Sequence, residues 1–167
     1  MKSVRINAAG VAIFTMLGLA SAAQAGTGTG SMLVTATVLD NCTVTASPMA
    51  FGSTITNVGS ANIDTTATLA LICTPNASFW VAMDNGANAV SGARRMKGVV
   101  RGEYLPYEVY TTSARSLRWG QTNGTDTVAG TAPAGTATLT AYGRIASGTG
   151  TVSADAYTDT VTVTVNF

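Results

Sequence analysis

The amino-acid sequence predicts an all-β domain folded as a sandwich. Short segments alternate apolar and polar residues at a period of two, and clusters of Gly, Asn and Pro separate them at regular spacing. No segment combines helical periodicity with start and stop residues. Only 10% of the residues are charged, while Thr, Ala, Gly and Val dominate. This composition favours strands and assembly surfaces over a freely soluble enzyme.

Residues 1–25 are predicted to form a secretory signal peptide. Lys2 and Arg5 precede an apolar run at 8–20, and Ala-Gln-Ala at 23–25 supplies the small residues of a cleavage site. The apolar run is short for a membrane span, although an uncleaved anchor is the alternative. Cleavage after Ala25 leaves 142 residues with seven basic and eight acidic side chains, a net charge of −1. We therefore expect a chain that is exported from the cytoplasm and has no electrostatic attraction to nucleic acid.

The first segments of the exported chain are a Gly-rich leader at 26–31 and a predicted strand at 32–40. Met32, Val34, Ala36 and Val38 fall on one face of that strand. Further strand segments are expected at 42–52, interrupted by Pro48, and within 65–73, 79–86, 105–112, 117–120 and 136–145. Residues 122–135 and 146–156 have the composition of loops.

The last segment, 157–167, alternates almost without exception. Val161, Val163, Val165 and Phe167 share its apolar face, opposite Thr and Asn residues. An exposed apolar strand of this kind is a template for pairing with another chain.

Cys42 and Cys73 are the only cysteines, and an even count in an exported chain predicts one disulfide. The alternative is a metal site, but the chain has no histidine to complete one. In the chain-entropy model, closing a loop of about 32 residues stabilises the fold by roughly 3.5–4 kcal/mol.

Catalytic constellations are absent from the sequence. Without histidine, Ser-His-Asp and Cys-His arrangements are excluded, and cysteines in a disulfide are not nucleophiles. The Gly-x-Gly segments at 26–30 and 147–151 do not lie between a strand and a helix, as a phosphate-binding loop requires. We therefore expect a protein that is not an enzyme and that uses no cofactor or metal.

Two side-chain clusters have alternative interpretations. A basic cluster is expected on a solvated hairpin, with an anionic-ligand or subunit-docking patch as the alternative; it comprises Arg94, Arg95, Lys97 and Arg101. A set of aromatic residues is expected in the core, with a sugar-binding surface as the alternative; it comprises Trp80, Tyr104, Tyr107, Tyr110 and Trp119.

A family resemblance covers essentially the whole exported chain. Cys-Thr-Val at 42–44, Phe-Gly at 51–52, the second cysteine, YEVYTTSARSLRWG at 107–120 and the closing YTDTVTVTVNF occur in an order and spacing that resemble the spore coat protein U domain. This domain occurs in pilin subunits of archaic chaperone–usher pili. The resemblance implies an incomplete immunoglobulin-like sandwich that lacks its last strand and has an apolar groove beside the terminal strand.

The resemblance also implies how that groove is filled. A periplasmic chaperone occupies it first, and at an outer-membrane usher the N-terminal strand of another subunit replaces the chaperone. The donor residues would lie ten, eight, six and four positions before the first cysteine, at Met32, Val34, Ala36 and Val38. Ala36 is small for such a position. Val161, Val163, Val165 and Phe167 would form the groove edge that the chaperone contacts.

The organisation and function implied are those of an exported polymer subunit. Residues 1–25 would be the signal peptide, 26–40 the donor-strand extension and 41–167 the pilin domain. Copies would join head to tail in a surface pilus that serves attachment and biofilm formation. The alternatives are a secreted spore-coat or matrix protein of the same fold and a carbohydrate-binding adhesin module.

Overall fold

The computed structural model describes residues 25–167, and every regular element within them is a β-strand. The predicted signal peptide lies outside these residues except for Ala25. The chain divides into two units, Met1–Ala36 and Thr37–Phe167, and all of the strands described belong to the second. None of the described residues belongs to a helix that could cross a bilayer.

Ten strands follow one another along the second unit. They are β1 (Cys42–Ala46), β2 (Ile63–Cys73), β3 (Ala77–Met83), β4 (Arg95–Gly98), β5 (Tyr104–Pro106), β6 (Glu108–Tyr110), β7 (Val128–Ala132), β8 (Thr136–Ile145), β9 (Tyr157–Thr158) and β10 (Val163–Asn166).

The strands form three antiparallel sheets. The largest has the order β1-β2-β8-β6, the second has the order β10-β3-β7, and a small third sheet has the order β5-β4-β9. The longest pairing joins β2 to β8, where Ile63 lies opposite Ile145 and Ile72 lies opposite Thr136. This arrangement confirms the predicted all-β sandwich.

The core lies between the two larger sheets. In β2, Ala67, Leu69 and Leu71 are buried while the alternate residues face solvent, as the period-two pattern predicts. They belong to the same apolar cluster as Val81 of β3 and the fully buried Trp119. The Trp119 indole Nε1 donates a 2.8 Å hydrogen bond to the carbonyl of Val81, which satisfies the only polar group of this side chain.

Strand positions agree with the sequence in several segments and differ in others. Of the predicted 42–52 segment only β1 is a strand, and residues 117–120 contribute only an isolated bridge from Arg118 to Tyr110. Residues 136–145 form β8 with the predicted bounds. Residues 128–132, predicted as loop, form β7, in which the chain comes close enough to β3 that a Cβ at Gly130 would lie 2.9 Å from the Phe79 ring. Residues 32–40 form no strand in this single chain.

The closing segment differs as well, because it forms two strands instead of one. β9 pairs with β4 in the small sheet, and β10 pairs with β3 in the second sheet. The chain crosses between these sheets at residues 159–162. Alternation of side chains continues through the crossing, because Val161 is half-buried like Val163 and Val165. The pattern therefore marked burial correctly but did not reveal the change of sheet.

Cys42 and Cys73 are joined by the predicted disulfide. They are the first residue of β1 and the last residue of β2, and they lie directly opposite each other in the ladder. Beside them, the Thr74 N–H donates to the Asn41 carbonyl at 2.8 Å, and the Thr74 hydroxyl donates to the Leu39 carbonyl at 3.2 Å. The chain that leads into β1 is therefore held in place as far back as Leu39.

Candidate functional site

Two strands of the sandwich have a free edge facing the same opening. Among the described residues, β1 pairs only with β2, and β10 pairs only with β3. β1 and β10 belong to different sheets, yet their Cα atoms approach within 8 Å without forming a ladder. An unpaired strand edge presents N–H and C=O groups that a further strand can bond.

A cavity of about 400 Å³ opens between these strands. One side is formed by Ala46 and the residues just after β1, and the other by Val161 and Val163 before and within β10. The floor is mainly apolar, and it is built from Met49, Phe51, Ala67, Leu69, Met83, Met96, Tyr107, Val109 and Ala141. We call this opening, with its two strand edges, the groove.

The wall of the groove near β8 depends on a glycine. A Cβ on Gly143 would lie 3.0 Å from the Phe51 ring and would collide with the Met49 sulfur, so both side chains pack directly over this glycine. The Phe51 ring in turn meets Tyr107 edge to face, with ring centroids 6.0 Å apart. The loop after β1 thus covers part of the core and narrows the groove.

A polar group interrupts the apolar wall at Asp159. The Tyr107 hydroxyl donates a 2.8 Å hydrogen bond to Asp159 Oδ2, and the backbone and side-chain nitrogens of Asn88 donate to Oδ1 at 3.0 and 2.9 Å. Burial of Tyr107, together with its hydrogen bond to this carboxylate, raises the pKa of the phenol. Tyr107 therefore stays a neutral donor, and this bonding holds the crossing between β9 and β10 in place.

Arg94 supports the groove from behind, and its position corrects the prediction of a fully solvated basic cluster. Its side chain has no exposed surface, and it bonds the carbonyls of Met83, Asp84 and Trp119 as well as the carboxylate of Glu108 at 2.5 Å. The sequence missed this because neighbouring charges predict a solvated surface, whereas three backbone carbonyls of the folded chain surround this one.

The other basic residues behave more as expected. Lys97 and Arg101 are exposed, while the guanidinium of Arg95 stacks 3.7 Å from the centroid of the Tyr104 ring. The cluster is thus divided between one buried ion and a hairpin surface.

The groove-edge residues predicted from the sequence lie in different environments. Val161 and Val163 line the cavity, and Val165 is half-buried against the core. Phe167 follows β10 and is 56% exposed, so its ring does not share the buried face with the three valines.

The predicted donor residues are exposed. Met32, Val34 and Val38 are 84%, 78% and 80% exposed, and Ala36 is also exposed. Large apolar side chains exposed in a row along one segment are unusual in a folded chain and indicate a surface for interaction. We call residues 26–40 the arm.

Several floor residues of the groove were not identified from the sequence as site residues. Phe51 was part of the Phe-Gly motif and Tyr107 belonged to the aromatic set, but neither was assigned to the groove, and Met49, Met83 and Met96 carried no signal of their own. A groove wall has the same apolar composition as a core, so no sequence pattern distinguishes them.

The structure gives little support to the alternative chemistries. Trp119 is fully buried and Tyr107 is nearly so, which places these two aromatic residues in the core as predicted. The prediction is wrong for Tyr104, which is 39% exposed beneath the Arg95 guanidinium, and Trp80 and Tyr110 are only half-buried. Across residues 25–167, no three His, Cys, Asp or Glu side chains form a group suited to a metal ion.

Comparison with known proteins identifies the family. The Spore Coat Protein U domain matches residues 28–164, and the chain belongs to this family. The comparison with curated proteins found no significant match.

Among the solved structures that resemble the chain are two from chaperone–subunit complexes. One is a chain of the CsuC–CsuE chaperone–tip adhesion subunit pre-assembly complex from archaic chaperone–usher Csu pili of Acinetobacter baumannii, with 24% identity and a TM-score of 0.56 over 78% of this chain and 41% of that one. The other belongs to a chaperone–tip adhesin complex of CFA/I fimbriae biogenesis, with 11% identity and a TM-score of 0.39 over 71% and 40%.

The first of these likenesses shows the fold alone, and the second is too weak to carry an argument. The chain spans about two fifths of each matched chain. The immunoglobulin-like sandwich that the resemblance implied is confirmed at this level. The family is not named for a catalytic activity.

Proposed function

We propose that this protein is a structural subunit of a surface pilus, assembled head to tail by strand addition with the help of a periplasmic chaperone and an outer-membrane usher. The observation that carries the proposal is the groove, an apolar opening flanked by two unpaired strand edges. In this proposal the arm of a second copy occupies the groove after a chaperone strand has left it.

The chemistry of the arm supports this occupant. Met32, Val34, Ala36 and Val38 recur at period two on one face, which matches a strand that presents this face to the mainly apolar floor of the groove. The opposite face is mixed, with exposed Leu33 and Leu39 beside two threonines. Three of these side chains, Met32, Val34 and Val38, stabilise the joint between two subunits by roughly 1.5–3 kcal/mol each when buried, and Ala36 contributes less. Ladder hydrogen bonds on both edges add to this. Ordering a Gly-rich leader opposes part of the gain.

The geometry of the joint favours a fibre. The arm and the groove are different surfaces, so each copy would offer one of each, and such head-to-tail contacts continue indefinitely unless they close into a ring. The membership of the Spore Coat Protein U family and the fold shared with a chain of a chaperone–subunit complex support the same partners. Export to the periplasm, display on the cell surface, and a role in attachment and biofilm formation are parts of this proposal.

A coat or matrix protein of the same fold is the second candidate, because the family takes its name from a spore coat protein. Strand addition would then join copies in a layer without a usher. Deleting the usher gene separates the candidates: it should abolish surface fibres of a pilin and leave a secreted coat protein unaffected.

A single substitution tests the arm. Val34→Asp places a charge on the apolar face and should abolish polymerisation, while the chaperone-bound subunit stays folded because Val34 lies outside the strands of the domain. Thr35→Asp adds the same charge to the opposite face and is the matched control. The measurement is the ladder of polymers on an unboiled denaturing gel after co-expression with the chaperone and usher. Polymers of Val34→Asp as abundant as those of Thr35→Asp would contradict the arm assignment.

A further inference from the structure

Every methionine of the described residues belongs either to the arm or to the floor of the groove. The chain has six methionines, of which Met1 and Met16 lie in the predicted signal peptide. Met32 is in the arm, and Met49, Met83 and Met96 all line the cavity. These residues come from different parts of the chain, a loop after β1, the end of β3 and the middle of β4, so the fold brings them to one place.

Methionine suits a groove that must accept more than one strand. Its unbranched side chain and polarisable sulfur adapt to partners of different shape, which a rigid β-branched residue does not. The groove proposed above has to accept a chaperone strand first and an arm later. The same thioethers, however, are open to oxidation, which converts a flexible apolar side chain into a polar one.

The four methionines differ in their exposure to solvent. Met32 is 84% exposed, Met49 and Met96 are partly buried, and Met83 is only 4% exposed. Oxidation follows exposure, so the arm sulfur should react first in any state in which the arm is undocked. Docking of the arm in the groove of another copy would shield the arm methionine and the three groove methionines from solvent together.

We propose that Met32 is an oxidation-sensitive anchor of the joint between subunits. A peroxide or hypochlorous acid converts its thioether to a sulfoxide, and the sulfoxide prevents the arm from docking in the groove of another copy. With hydrogen peroxide, a sulfur lone pair attacks one oxygen, and the S–O bond forms as the O–O bond breaks. The departing hydroxide takes the proton of the oxygen now bound to sulfur, which gives the sulfoxide and water. The sulfur loses two electrons, which the peroxide gains.

The consequence is a joint that is vulnerable before assembly and protected afterwards. This inference rests on the proposed function, because it needs the arm to be the strand that enters the groove. Oxidants would then stop the addition of new subunits without dismantling the existing fibre. Because sulfoxide formation is reversible by reductases, an oxidised pool of subunits would remain usable.

Synthetic peptides of residues 26–40 test the proposal on the complex of the mature subunit with its chaperone. Three peptides are compared: the native sequence, the same peptide with Met32 as its sulfoxide, and the Met32→Leu peptide. The measurement is the rate at which each displaces the chaperone, followed on native gels. The native and Met32→Leu peptides should react within about threefold of each other, since Leu and Met have similar volumes. The sulfoxide peptide should be at least about tenfold slower.

Peroxide treatment provides the control within the same assay. Treating each peptide with peroxide before the assay should slow chaperone displacement by the native peptide to the rate of the sulfoxide peptide. The same treatment should leave the rate of the Met32→Leu peptide unchanged. A sulfoxide peptide as fast as the native one would overturn the proposal while leaving strand addition intact. Failure of the native peptide itself would refute the strand-addition function, and this inference with it.

Oxidation mapping by mass spectrometry gives a second, independent measurement. In the chaperone-bound subunit exposed to peroxide, Met32 should oxidise readily, whereas in assembled polymer it should be at least about tenfold slower. Equal rates of Met32 oxidation in the two states would also overturn the proposal.

Discussion

Replacing Arg94 with Met is the sharpest test of how the groove is supported. The substitution keeps most of the aliphatic volume and removes the guanidinium, which has no exposed side-chain surface. Three backbone carbonyls, of Met83, Asp84 and Trp119, lose a donor, and the carboxylate of Glu108 loses one of its two arginine partners. Arg118 remains 2.6 Å from that carboxylate, so Glu108 is not left without a counter-charge.

The expected loss in the free energy of unfolding follows from these lost contacts. Removing one partner of a buried ion pair costs about 3–5 kcal/mol, and each buried acceptor left without a donor contributes about 1–3 kcal/mol. Because Glu108 is 23% exposed and keeps Arg118, we expect the lower end, about 3 kcal/mol of the free energy of unfolding. With a urea dependence of about 2 kcal/mol per molar, the midpoint should fall by about 1.5 M.

The assay is urea unfolding of residues 26–167 followed by tryptophan fluorescence. Trp119 is a suitable reporter, since its carbonyl is one of the Arg94 acceptors and its ring is fully buried. Lys97→Met is the matched control, because it removes a charge from an exposed residue of β4 and should shift the midpoint by less than about 0.3 M. Equal midpoints for the two variants would refute the argument that Arg94 supports the groove wall at Met83.

Two further predictions concern the stability of the same domain. Replacing both Cys42 and Cys73 with Ser should lower the free energy of unfolding by about 3.7 kcal/mol in the chain-entropy model, and the wild-type chain should lose the same amount on reduction; equal urea midpoints in oxidised and reduced protein would contradict it. Hydrogen bonds from the backbone N–H groups of Arg101 and Val100 lower the pKa of Asp155, and burial opposes them. The stability that Asp155 contributes is therefore fully present above its unfolded pKa of about 3.9. It is lost as the pH falls through the lower pKa of the folded state. Unfolding midpoints of the wild-type chain should therefore decline below about pH 4, and Asp155→Asn should show a shallower decline; parallel profiles would contradict this role.

Much of the fold could be predicted from the sequence because burial follows a period of two. In β2 and β8 the alternating apolar residues mark the core face without help from the rest of the chain. β7 could not be predicted this way, since three of its five residues are Ala or Gly, which are depleted in strands. Its place depends on Gly130, which lets the Phe79 ring lie against the backbone, and such a contact exists only in the folded chain.

Part of the candidate site was also predictable, because apolar residues recur at a period of two in its exposed arm and in one of its strand edges. The exposed arm and the valines before and within β10 have a regular pattern, so their apolar face could be assigned from the sequence. Met49, Met83 and Met96 lie on segments far apart in the chain, and only the packing of the two sheets brings them to one cavity. The burial of Arg94 likewise depends on carbonyls contributed by other segments.

The position of the disulfide has a mechanical meaning in a filament built from such joints. Tension on a fibre would enter each subunit through the arm, and the arm meets the domain at Cys42, the first residue of β1. Without a covalent link, that pull would peel β1 away from β2 one hydrogen-bonded pair at a time. The bond to Cys73 passes the force directly to β2, the longest strand of the main sheet. Single-molecule pulling should therefore open the reduced subunit at a lower force than the oxidised one, with β1 as the first strand to leave.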